Sequence, residues 1–235
     1  MKDRAYIWKA LKAAFPHTIP ILAGFLVLGM SYGVFARVSG FSFWYPLCMA
    51  VAIFGGSLEF VAVTMLLGVF APVQTFLMAL MIQGRHLFYG ISMLERYKHM
   101  GWKRFYLIYA LCDETFSINY AVQPPEDVDK GWFMLFVSVL DQCYWLTGTT
   151  IGAVLGGVIP FSTEGLDFAM TALFVVIFLD QWLKEDKHYT ALIGVLAAAG
   201  CLLIFGADSF MIPTMACILC LLTVFRKPIE RGLDE

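Results

Sequence analysis

The chain has 235 residues, 60% of them hydrophobic and 16% aromatic, with only 14% charged and a mean hydropathy of +0.76. That balance lies well outside soluble globular composition, and no nucleic acid is expected as a partner. A net charge of −2 is uninformative here, because in a membrane protein the placement of Lys and Arg carries the information.

The fold class that follows is all-α, a polytopic membrane protein. The N-terminal stretch 1–12 is short and basic, and the apolar run after it lacks a small-residue cleavage pattern, so it reads as a retained first helix. A helix needs ~20 apolar residues to cross the hydrocarbon. Runs at roughly 18–36, 43–70, 71–94, 105–122, 132–158, 166–183, 189–206 and 209–225 approach or exceed that length, giving six to eight hydrophobic helical segments. No stretch between them is long enough for a soluble domain, so 1–235 reads as a single transmembrane transport domain.

Thirteen of the sixteen Lys and Arg fall in four clusters: Lys2/Arg4/Lys9/Lys12, Arg96/Lys98/Lys103/Arg104, Lys184/Lys187 and Arg226/Lys227/Arg231. Placing every cluster on the cytoplasmic side requires an even number of crossings before Arg96, yet three apolar runs precede it. Parity is restored if 43–70, broken by Gly55-Gly56, enters and leaves on one face. The run 132–158, with Gly148, Gly152 and Gly156-Gly157, faces the same requirement before Lys184. The chain then has two related halves, each with a broken or re-entrant segment, the pattern that marks a transporter's central site. Two long, steeply tilted helices are the alternative. On this scheme the acidic loop 124–129 lies outside. The four-residue spacing of Gly148, Gly152 and Gly156, repeated by Gly29 and Gly33, permits close helix contact within the chain or between subunits. The six cysteines all lie in apolar runs as packing residues, and Cys217 and Cys220 lack the neighbours of a metal site.

Charged groups inside apolar runs cost at least ~2.5 kcal/mol on insertion scales and normally face a wet cavity or a partner. Ser57 and Glu59 follow Gly55-Gly56 directly. A break there aims a helix N-terminus into the protein with a carboxylate one turn away, which suits a zwitterion or a coupling proton. Arg85 and His86 lie near the middle of 72–94, with Tyr89 on the face of Arg85. Arg85 requires an acidic partner, from Glu59, from Asp113-Glu114, or from a substrate. Asp113 and Glu114 sit midway along 105–122, followed by Thr115, Ser117 and Asn119, and this polar helix is expected to line the cavity. Asp141 has no basic residue beside it, whereas Asp180 has Lys184 at i+4. Five embedded carboxylates stand against Arg85 alone, so some must bind a proton or a cation. The substrate or proton pathway is therefore assigned to Ser57, Glu59, Arg85, His86, Tyr89, Asp113, Glu114 and Asp141, with Glu59 and Asp113 as first proton candidates.

The strings Phe54-Gly55-Gly56-Ser57-Leu58-Glu59-Phe60, Gly84-Arg85-His86-Leu87-Phe88-Tyr89-Gly90 and Asp113-Glu114-Thr115-Phe116, with Gly24, Gly29, Ser31, Gly33, Ala36, Trp145, Gly148 and Gly152, resemble the AzlC family of branched-chain amino acid exporters. The resemblance implies a permease of the bacterial cytoplasmic membrane, multi-pass, that expels valine, leucine, isoleucine or related amino acids together with a small hydrophobic AzlD-like subunit.

The leading expectation is thus a proton-coupled secondary transporter with no cofactor and no enzymatic activity. A P-loop is absent, so direct ATP coupling would need another subunit. The competing classes are a channel, for which no repeated filter element is visible, and an intramembrane enzyme, for which H-E-x-x-H and G-x-S-x-G are both missing.

Overall fold

In a computed structural model of the chain, the described residues are 2–158, 175, 178, 179, 182, 183, 188–206 and 210–225. Among them the structure is helical, without strands: α1 (Lys2–Val38), α2 (Trp44–Ala52), α3 (Gly56–Leu67), α4 (Pro72–Met93), α5 (Lys103–Tyr109), α6 (Asp113–Ala121), α7 (Lys130–Val158), α8 (Tyr189–Phe205) and α9 (Met211–Val224). These fall into two compact units, Met1–Asp167 and Phe168–Glu235. Most of the expected segment 166–183, with Asp180, Lys184, Lys187 and the C-terminal basic cluster, lies outside the described residues.

One helical span among the described residues, Tyr6–Val38, is long and apolar enough to cross a bilayer by length and composition. α4 and α7 have 22 and 29 residues, about 33 and 44 Å at 1.5 Å per residue, but carry Arg85 and Asp141 within them. α2, α3, α5 and α6 have 9, 12, 7 and 9 residues, and none is long enough to cross alone. The run 43–70 is a pair of short helices interrupted next to Gly55-Gly56, the broken form of the two readings left open for it, and 105–122, expected as one helix, is also a pair of short helices.

The first unit is organised around α1 and α7, which lie side by side and run in the same direction. Phe25 and Leu26 meet Gly148, Met30 meets Gly152, and Val34 meets Gly156. A methyl group added at Gly148 would come within 2.7 Å of Leu26 O, and one at Gly29 within 2.9 Å of Trp145 O. The contacts are backbone on backbone, so neither helix can yield. Of the two readings left open for 132–158, the structure shows the long helix: α7 is continuous, and its glycines form the groove that receives α1. Pro16 and Pro20 lie inside α1 without ending it, and buried Thr18 between them is tied to Phe15 O and Tyr144 OH, each at 3.0 Å.

The remaining helices enter from the two ends of this seam. Tyr32 OH reaches Pro46 O at 3.5 Å near the C-terminal end of α1, and Phe54 then packs on Phe25. α3 returns, with Phe60 between Tyr32 and Phe35. α2 and α3 are thus a hairpin from the C-terminal end of α1. α5 and α6 mirror it from the other end. Lys103 at the start of α5 pairs with Asp129 beyond the end of α6 at 3.4 Å, and Arg96 donates to Asn119 O at 3.0 Å. A core of Ala10, Ala14, Met93, Leu107, Ile118 and Phe133 gathers the N-terminal part of α1, the end of α4, both arms of the second hairpin and the start of α7.

Lys9 forms an ion pair with Asp127 at this same end. The hydrogen-bonded Lys9 ammonium holds the Asp127 carboxyl below its ordinary range. The acidic loop 124–129 therefore lies beside the N-terminal basic cluster rather than opposite it, a correction to the expected topology. The error came from treating 105–122 as one crossing, when its two halves return to the side they came from.

The seam predicts that Gly152→Val, which drives a branched side chain against the Met30 backbone, costs more than the ~1–3 kcal/mol typical of overpacking. Gly200→Ala in α8, where an added methyl meets nothing within 4 Å, should stay within ~1 kcal/mol of neutral. Thermal unfolding of the detergent-purified variants checks both.

Candidate functional site

An interrupted helix leaves amide and carbonyl groups without intrahelical partners, and in an apolar interior each must find another. At the first interruption, Phe54 has φ +44° and Gly55 forms the N-cap of α3. Gly55 N donates to Glu59 Oε1 at 3.1 Å, so Glu59 folds back to cap its own helix. Trp145 Nε1 on α7 donates to both carboxylate oxygens, at 3.2 and 3.0 Å. Glu59 is fully buried and thus holds the break to the long helix. Ser57 is buried beside it, and Gly56 faces the Trp145 ring. Gln83 Nε2 on α4 donates to Gly55 O at 3.4 Å. A side chain on Gly55 would displace the Gln83 amide from its hydrogen bond to Gly55 O.

At the second interruption Thr115 does the corresponding work. Cys112 N donates to Thr115 Oγ1 at 2.8 Å, and that hydroxyl donates to Ala110 O at 2.9 Å, rejoining α5 to α6 across the gap. Asp113 and Glu114 consequently stand in the first turn of α6, where carboxylates favour the positive helix end. They are not midway along a continuous helix, as expected from sequence.

The tips of the two hairpins meet. Tyr109 OH, at the end of α5, donates to Val51 O in the last turn of α2. Gln142 on α7 steadies that hydroxyl, donating to it at 2.7 Å while accepting from Tyr106 OH at 2.5 Å. Phe54 and Tyr109 lie with ring centroids 6.5 Å apart.

Arg85 pairs with Asp113 at 2.9 Å, and the two side chains remain 35% and 29% exposed. Of the partners left open for Arg85, the structure selects the acid at the start of α6. His86 Nδ1 lies 3.3 Å from Gln83 O, and its ring packs edge-on against Tyr89. Tyr89 stacks on Phe116 of α6 at 4.4 Å between centroids. α4 thus brings Arg85, His86 and Tyr89 to α6, and Gln83 to the first break. Glu59 lies apart from the Arg85–Asp113 pair, sealed behind Trp145, and Asp141 is fully buried on α7. The assigned residues therefore divide into a half-open group and a sealed one.

Trp145, Gln142, Tyr109, Gln83 and Thr115 carry much of this geometry but were not assigned roles from sequence. Trp145 lies one turn beyond Asp141 on the same face of α7, but no sequence signal pointed to its contact with Glu59. Among the described residues no group of three or more His, Cys, Asp or Glu could hold a metal.

Two interrupted helices meeting beside an embedded ion pair form the architecture of a membrane transport protein. The chain belongs to the AzlC family: its family model, described as AzlC protein, matches residues 20–159. A Bacillus subtilis (strain 168) protein named branched-chain amino acid transport protein AzlC is 54% identical over 99% of this chain and 91% of its own length. An uncharacterized membrane protein of Haemophilus influenzae is 46% identical over 97% and 94%. The Escherichia coli K12 inner membrane protein YgaZ is 26% identical over 86% and 84%. No solved structure matches the chain. Its kinship is with membrane transport proteins and not with enzymes.

The buried carboxylate anchor predicts energetic coupling between its partners. Trp145→Phe should lower stability by ~1–3 kcal/mol, the usual result of leaving a buried polar group short of a donor. Glu59→Leu should cost less in the Trp145→Phe background than alone. A double-mutant cycle from thermal unfolding checks this, and strict additivity would show that the two side chains do not interact.

Proposed function

We propose that the chain is the large subunit of a secondary transporter that exports branched-chain or similar small apolar amino acids across the bacterial cytoplasmic membrane, coupled to protons. In this reading the whole chain acts as one multi-pass transport domain. α1, α4 and α7 cross the bilayer, and the two hairpins α2–α3 and α5–α6 enter from opposite faces without crossing. A small hydrophobic AzlD-like protein is the second component.

The observation that carries this reading is the meeting of both interrupted segments beside the half-exposed Arg85–Asp113 pair. An Arg fork binds a carboxylate through paired charge-assisted hydrogen bonds, and a carboxylate binds an ammonium. Opening the pair would offer a zwitterion one partner for each end, while Tyr89 and Phe116 supply apolar surface for an aliphatic side chain. The N-terminus of α6 at Asp113 adds its positive dipole end beside the pair. The name of the Bacillus subtilis relative supports the substrate class. Phe76, Leu80, Leu87, Phe88 and Ile91, all exposed along α4, suit contact with lipid or with the second component.

The test uses everted membrane vesicles containing this protein with the small hydrophobic partner, following labelled valine under an imposed pH gradient. Both components together should accumulate valine severalfold above vesicles lacking them. Arg85→Gln should weaken valine binding by about 10- to 100-fold, the equivalent of ~1.5–3 kcal/mol for a charged hydrogen-bonding group. Valine movement unaffected by the protein would end the transporter reading.

A further inference from the structure

Among the embedded carboxylates, Glu59 is satisfied by Gly55 and Trp145, and Asp113 has Arg85. Asp141 differs from both. It is 0% exposed on α7, and neither carboxylate oxygen has a hydrogen-bond partner or an ion pair among the described residues. Ser138, one turn earlier on the same face, is likewise 0% exposed with its hydroxyl unpartnered. A bare carboxylate in such surroundings is too costly to persist and is neutralised by a proton or a cation.

The groups around Asp141 supply no cation. From α6, Glu114 stands within electrostatic reach. Cys112 at the second interruption and Tyr106 on α5 also face it electrostatically. α1 has no titratable residue over 18–25, the stretch beside this part of α7, and His17 meets Phe133 two turns earlier. α2 contributes Tyr45 and Cys48, both exposed. Glu59 on α3 lies a turn further along α7, held by Trp145. On α7 itself Cys143 is exposed, and Tyr144 is hydrogen-bonded to Thr18.

We propose that Asp141, with Glu114 facing it, is the site that takes up and releases the coupled proton, separate from the Arg85–Asp113 pair that meets the amino acid. The inference rests on the transport reading above and names its ion site. A proton from the more acidic aqueous phase adds to a carboxylate oxygen of the pair, forming one O–H bond, and that bond breaks when the proton leaves to the opposite phase. Half-buried Glu114 and its partly exposed neighbour Asp113 give the entry side. With Glu114 within electrostatic reach, a negative charge on Asp141 meets repulsion as well as burial, and one proton on Asp141 relieves both. The neighbouring Arg85–Asp113 pair lies one residue from Glu114, which lets substrate binding and proton uptake influence each other.

The experiment compares wild type, Asp141→Asn and Asp141→Glu, each with its small hydrophobic partner, in reconstituted liposomes. Valine counterflow without a gradient is measured beside valine uptake driven by a pH gradient. Wild type should show both, with the gradient accelerating uptake severalfold. Asp141→Asn should retain counterflow and lose the acceleration entirely, and Asp141→Glu should restore part of it. Full acceleration in Asp141→Asn would overturn the proposal, as would acceleration of wild type by a sodium gradient at equal pH in place of a proton gradient. Wild type without counterflow would instead defeat the transport reading itself. A readout independent of transport is the infrared carbonyl stretch of a protonated carboxylic acid at neutral pH. It should be present in wild type, shifted in Asp141→Glu and absent in Asp141→Asn. A spectrum unchanged by either substitution would overturn the proposal even if a variant proved inactive.

Discussion

The contact between Glu59 and Trp145 supports the rest of the site because it solves the problem that an interrupted helix creates. Gly55 has lost its intrahelical acceptor, and the Glu59 carboxylate replaces it from within the same segment. Taken alone, that would bury an unsupported charged group. The indole N–H of Trp145 supplies the second donor and ties the interruption to α7. Since α7 is itself locked to α1 through contacts that leave no room for a methyl group, the break is fixed relative to the most rigid part of the unit. The second interruption is secured more locally, by a Thr115 hydroxyl that both accepts and donates across it. The first break is thus anchored to the frame, and the second is closed on itself and held against α4 by Arg85.

That asymmetry bears on which parts can move. α1 and α7 share backbone contacts over several turns, an arrangement that has no second packing within easy reach. The hairpin tips are joined by the hydrogen bond from Tyr109 OH to Val51 O, which Gln142 of α7 steadies, and one partly exposed ion pair ties the second hairpin to α4. Such contacts exchange with water or with a polar solute at modest net cost, because a hydrogen bond lost to one partner is regained with another. The contacts between the hairpins and α4 are therefore the more easily exchanged ones, and the α1–α7 seam is the least adjustable.

Composition made the all-helical, membrane-bound class legible, and the embedded Arg and acids pointed to the residues that gather around α4 and α6. The positions of the interruptions were only half legible. Gly55-Gly56 adjoins the first break, where the chain turns at Phe54, the Gln83 amide lies over Gly55 and the Trp145 ring packs on Gly56. The glycines of α7 left a second break and a long tilted helix both open, since small residues spaced by four are as useful for close helix packing as for ending a helix, and spacing alone does not separate the two. The true second break, at 110–112, contains neither Gly nor Pro. Its signal was the Asp113-Glu114-Thr115 string, the acidic first turn that favours a helix start, but inside an apolar run the same residues also suit a cavity-lining helix. The misplaced acidic loop followed from that one ambiguity. Trp145 was invisible as an anchor because an indole on an apolar helix usually packs without needing a specific acceptor, and only the fold brings Glu59 beneath it.

The charge imbalance legible in the sequence acquires a spatial order in the structure. Of the carboxylates in the first unit, Asp113 is balanced by a guanidinium at a half-open surface, Glu59 by fixed dipoles in a sealed one, and Asp141 by neither. These are three different remedies for the same cost. A guanidinium can be exchanged for a substrate's ammonium, so the Asp113 remedy is compatible with binding an organic ion. Fixed N–H donors cannot leave, so the Glu59 remedy suits permanent structure. A group with no protein partner must accept a mobile one, and within a dry helix interior the smallest mobile positive charge fits without rearranging the walls. The three acids thus differ along α7 and its neighbours in how each is compensated, and the difference follows from electrostatics in a low-dielectric interior rather than from the position of the acids in the chain.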